Sequence, residues 1–90
     1  MQSDSLSELR KKIDRIDAKL VAIISERFIT VRLIGVLKKD RNLTPLDTKR
    51  WQRVLTSRKQ WASQQGLDPM LIEHIFEIIH YYSLQVEEQT

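Results

Sequence analysis

No cysteine occurs in the chain, which excludes disulfides and thiolate metal sites and makes a reducing cytoplasm the expected setting. Histidine is almost as scarce: His74 and His80 are too few for a zinc site. No apolar run approaches the roughly 20 residues of a membrane span, and the first residues do not read as a charged-then-apolar leader. Gly35 and Gly66 are the only glycines, so no glycine-rich phosphate loop exists, and no nucleophile has a base beside it. These gaps point away from metal, cofactor and covalent chemistry. Repeats, low-complexity tracts and long linkers are also missing, so residues 1–90 are expected to form one domain.

Scarce glycine and proline set the architecture. From Ser5 to Lys39 only Gly35 interrupts a helical period, predicting a first helix of about 33 residues and about 50 Å. "DRNLTP" reads as a loop, with Thr44 as N-cap, Pro45 at the first helical position and Asp47 at the third. The second helix is expected to run to Gln65, with Gly66 as its stop. Asp68-Pro69 opens the third, which runs nearly to the end. The fold class is therefore all-α, with one long and two shorter helices. Two helices of about 20 residues span only about 30 Å each, too short to cover a 50 Å apolar seam. An intertwined helical-bundle homodimer, with long helices of two copies packed together, is the expected solution.

That seam runs Leu6, Leu9, Ile13, Ile16, Leu20, Ile23, then meets Arg27 before Val31 and Ile34 resume it. An unpaired cation in an apolar seam is expensive. Around a helix, Ile34 and Lys38 each fall within about 20° of Arg27. The second helix offers Asp47 and Arg50, and the third a stripe of Phe76, His80, Ser83 and Glu87 beside the apolar stripe of Ile72, Ile75, Ile79, Tyr82 and Val86. Each element has an ordinary reading. Arg27 would be a register device. Lys38 and Lys39 would offset a helix dipole, and Asp47 would cap. Ser83 would bond back to a carbonyl, Glu87 would be solvated, and His80 would be a core residue. Together, three cations and two acids from three helices make a polar pocket suited to carboxylates and a developing oxyanion.

The stretches "LRKKIDRIDAKLVAIISER", Gly35 with Lys38, Asp47 with Arg50, and "GLDPMLIEHIF" followed by Ser83 and Glu87 resemble the all-helical (type II) chorismate mutases over nearly the whole chain. The resemblance implies an intertwined dimer that rearranges chorismate to prephenate without a cofactor. Each site would borrow Arg10 from the partner and take Arg27, Lys38, Asp47, Arg50, Ser83 and Glu87 from the other chain. Geometry agrees on the borrowing. Arg10 and Arg27 lie about 25 Å apart along a helix, too far to share one small ligand within a chain.

In the roles the resemblance implies, Arg10 and Arg27 hold the two carboxylates in a reactive conformer. Lys38 and Glu87 flank the ether oxygen as its bond breaks, and Asp47 takes the ring hydroxyl. Arg50 and Ser83 complete the carboxylate contacts, with Ile34 and Leu84 as apolar walls. Glu87 can donate to that oxygen only when protonated.

Two residues depart from the mutase pattern: Trp51 stands where many mutases have a second acid, and His80 where the lining is usually apolar. "RKQWASQQGLD" and "IIHYY" are also similar to the related isochorismate pyruvate lyases, which give salicylate and pyruvate. Against that, a Glu at 87 and an acid at 47 fit the mutases better. A different class stays open on the basic residues, 15 against 12 acidic. Lys49, Arg50, Arg53, Arg58 and Lys59 would form a surface for an anionic partner, although no nucleic-acid recognition motif accompanies them. A degenerate, non-catalytic homologue is a further alternative, given Trp51. Neither nucleic acid nor membrane is the expected partner.

Overall fold

A computed structural model describes residues 2–90, with side chains from Ser5 onward. Its described residues form three helices and no strand: α1, Gln2–Asp40; α2, Thr48–Gln64; and α3, Pro69–Glu88. The 39 residues of α1 make about 58 Å of helix, longer than the period alone predicts. Most of the extra length is at the start, Gln2 in place of Ser5, and one residue, Asp40, is added at the C-terminus. Asn42 takes the left-handed conformation at φ 56°, the Leu43 N–H reaches back to the Lys38 carbonyl at 2.7 Å, and Asn42 N–H to Lys39 at 3.2 Å. That double closure satisfies two end carbonyls and lets the helix run on to Asp40.

The start of α2 corrects the expected cap. Thr44 Oγ1 donates to the Leu46 carbonyl, and the capping side chain is Asp47, whose Oδ1 accepts from Arg50 N–H at 3.0 Å. The helix therefore begins at Thr48, three residues later than Pro45 suggested, and is 17 residues long. A carboxylate outcompetes a hydroxyl here because it also meets the positive end of the helix dipole. The other boundaries follow the sequence. Gly66, at φ 74°, closes α2 while Leu67 N–H bonds the Ala62 carbonyl at 2.8 Å. Asp68 caps α3 through Met70 N–H, with Pro69 in the first turn.

The chain divides into two compact units, residues 1–30 and 31–90. The first is a stretch of α1 whose seam residues Leu6, Leu9, Ile13, Ile16, Leu20 and Ile23 are 47–61% exposed. The second holds α2 and α3, packed antiparallel. Trp51 stacks on His80 with centroids 3.8 Å apart, and farther along Lys59 pairs with Glu73 at 2.9 Å. Arg58 lies 4.5 Å from the Trp61 ring and 5.8 Å from that of Phe76, linking the helices by its flat cation. Among the described residues, the buried apolar ones are only Val31, Val54 and Ala62.

Gly35 decides how α1 meets α3 in the second unit. A methyl group there would lie 3.0 Å from Glu87 Cα and collide with Thr90 Oγ1. Contact with backbone cannot be relieved by a rotamer change. Gly35→Ala is therefore expected to lower stability by about 1–3 kcal/mol despite alanine's better helix propensity. Urea denaturation checks this; an unchanged or raised midpoint would show that the two helices need not approach so closely.

Candidate active site

The last turns of α1 face the end of α3 across a cleft of about 470 Å³, lined by Gly35, Lys38, Lys39, Leu43, Pro45 and the 87–90 turn. Lys38 Nζ lies 2.6 Å from Glu87 Oε1, and both side chains are largely shielded. Lys38 also donates to the Pro45 carbonyl. Glu87 Oε1 is buried and receives no aligned hydrogen bond, so the adjacent ammonium is its compensation. The ion pair governs, since charge attraction at 2.6 Å does not need linear alignment.

The remaining expected site residues have definite places. Ser83 is buried, and its hydroxyl donates to the Ile79 carbonyl at 2.7 Å, as the ordinary reading anticipated. Leu84 is half-buried beside it, and Ile34 and Arg50 are exposed. Asp47 spends one oxygen on the α2 cap, which leaves the other free to accept a ligand hydroxyl. Arg10 and Arg27 belong to the first unit, Arg10 exposed and Arg27 half-buried. The structure thus joins Lys38 directly to Glu87, while Asp47 and Ser83 bond to backbone.

Three participants escaped the sequence reading. Pro45, read as a helix starter, offers its carbonyl to Lys38. Lys39, read as surface charge, reaches the Thr90 carbonyl at 3.1 Å. The Trp51–His80 stack unites the two residues that looked anomalous separately. Only that pairing had a sequence signal, two unusual aromatic rings on neighbouring helices.

As chemistry, the cleft presents an ammonium, a carboxyl group and apolar walls, an arrangement that stabilises charge developing on oxygen and holds a polar ligand by hydrogen bonds. Among the described residues, no His, Asp and Glu side chains are grouped to hold a metal ion, and no described helix is long and apolar enough to cross a membrane.

Comparison with known proteins gives concordant matches. The chorismate mutase type II family matches residues 9–88. An isochorismate pyruvate lyase of Pseudomonas aeruginosa is 33% identical over 78 residues, covering 86% of this chain and 76% of the relative. A chorismate mutase of Methanocaldococcus jannaschii is 24% identical over 86 residues, covering 96% of this chain and 87% of the relative.

Two substitutions separate structural from ligand roles. Removing the Lys38 cation strands a buried carboxylate, so Lys38→Met is expected to cost about 2–4 kcal/mol in denaturant titration. Asp47→Asn keeps a capping oxygen, whereas Asp47→Ala loses about 1 kcal/mol. If Asp47 also binds ligand, the Asn variant raises KM while its stability is unchanged; an unchanged KM restricts Asp47 to its cap.

Proposed function

The chain belongs to the chorismate mutase type II family, and we propose on that basis that it rearranges chorismate to prephenate. The observation that supports this most directly is the Lys38–Glu87 pair on the cleft wall. The reaction is unimolecular: the ether C–O bond breaks while a C–C bond forms, and the ether oxygen gains negative charge in between. Lys38 stabilises that charge, and protonated Glu87 donates to the same oxygen. Arg27, Arg50 and Ser83 hold carboxylates, Asp47 takes the ring hydroxyl, and Ile34 and Leu84 form the walls.

Arg10 comes from a second copy of the chain. The uncovered seam on the 1–30 unit supports this, because exposed apolar surface on such a scale marks an interface. The whole of 1–90 then acts as one catalytic domain of a cytoplasmic homodimer that uses no cofactor. Lysis of isochorismate to salicylate and pyruvate is the second reading, favoured by the 33% identity to a lyase.

Incubating the protein separately with chorismate and isochorismate decides between them. Prephenate from the first is the expected product, and salicylate with pyruvate from the second would reverse the assignment. Glu87→Gln keeps an N–H donor for the ether oxygen and is expected to retain activity, whereas Glu87→Ala is expected to lose most of it. Equal activity in Glu87→Ala and the wild type would remove Glu87 from the mechanism.

The borrowed arginine has a sharper test. Arg10→Ala and Arg27→Ala chains are each expected to be inactive. Refolded together in equal amounts, they should recover about a quarter of wild-type activity, since half the dimers are mixed and each has one intact site. No recovery would place both arginines in sites of a single chain.

A further inference from the structure

Glu87 stands at an unfavourable place for a group that does chemistry. It lies in the last turn of α3, which ends at Glu88, and helix ends open with little free-energy cost. A side chain held only there would sample many positions, whereas a reacting group needs one. The surroundings of that turn supply the missing restraint.

Lys38 and Lys39 are neighbours on α1 yet grip different points of the same turn. Lys38 Nζ pairs with the Glu87 carboxylate at 2.6 Å, and Lys39 Nζ donates to the Thr90 carbonyl at 3.1 Å. Thr90 Oγ1 donates in turn to the Glu87 carbonyl at 2.7 Å, tying the far end of the turn to the residue that carries the carboxylate. Gly35 forms the bed: its missing side chain is what allows Glu87 Cα and Thr90 Oγ1 to lie against α1. One contact would let the turn pivot, but two contacts three residues apart, over a close-packed glycine, do not.

We propose that Lys39 and Thr90 are positioning residues, a strap that holds Glu87 against Lys38, and that Lys39 acts on the reaction through Glu87 and not on the substrate. This rests on the reading in which Lys38 and Glu87 act on the ether oxygen. It gives a role to a lysine that helix-dipole arguments would dismiss as surface charge.

The test compares Lys39→Met, Lys39→Arg and Thr90→Val in the full chain by amide hydrogen exchange and by steady-state kinetics. Exchange over residues 85–90 is expected to quicken in Lys39→Met and Thr90→Val, and to return towards wild type in Lys39→Arg. In kinetics, Lys39→Met should lower kcat about tenfold with KM changed much less. The same substitution made in a Glu87→Ala background should cause almost no further loss, since the group it positions is gone. Unchanged exchange in Lys39→Met, or an equal loss of kcat in both backgrounds, overturns the proposal. A wild-type protein inert towards both chorismate and isochorismate would instead defeat the catalytic reading, and the exchange comparison alone would then decide whether the strap exists.

Discussion

Everything distinctive about the cleft depends on how closely the end of α3 lies on α1. That approach is set by the absence of one methyl group at Gly35. With the backbones in contact, the Lys38 ammonium and Glu87 carboxylate meet at 2.6 Å in largely shielded surroundings, where each charge makes the other tolerable. A glycine within a helix costs about 1 kcal/mol in propensity. Here the sacrifice brings an acid and a base together from helices far apart in sequence.

The same pair balances the most shielded charges of the cleft. Lys38 is satisfied by Glu87 and by the Pro45 carbonyl. In the proposed reaction the ether oxygen enters between the two groups, so the pair must part and Glu87 must take up a proton before it can donate. The interior is sparse: among the described residues Val31, Val54 and Ala62 are the buried apolar side chains, while the long seam of the first unit is uncovered.

Some residues were readable in advance for plain physical reasons. Asp68-Pro69 and Gly66 behave as their local chemistry dictates, because caps and left-handed stops depend on near neighbours in the chain. Ser83 likewise bonds to the carbonyl one turn back. Thr44 and Pro45 misled because two cap signals stood three residues apart, and the carboxylate of Asp47 was the stronger. Trp51 and His80 looked like unrelated departures, since nothing local says that their rings stack. Lys39 had a sufficient local explanation, which concealed its bond to Thr90, 51 residues away.

By itself the sequence determined the three helices, most of their ends, the apolar seam that Arg27 interrupts and the polar residues that break the apolar faces. All of these follow from periodicity, caps and side-chain chemistry within a few turns of helix. The tertiary structure alone decided which cation meets which acid, and that a glycine, two lysines and a threonine converge on one turn. Those outcomes belong to the approach of α1 and α3 in space, and no local rule specifies how near two helices come.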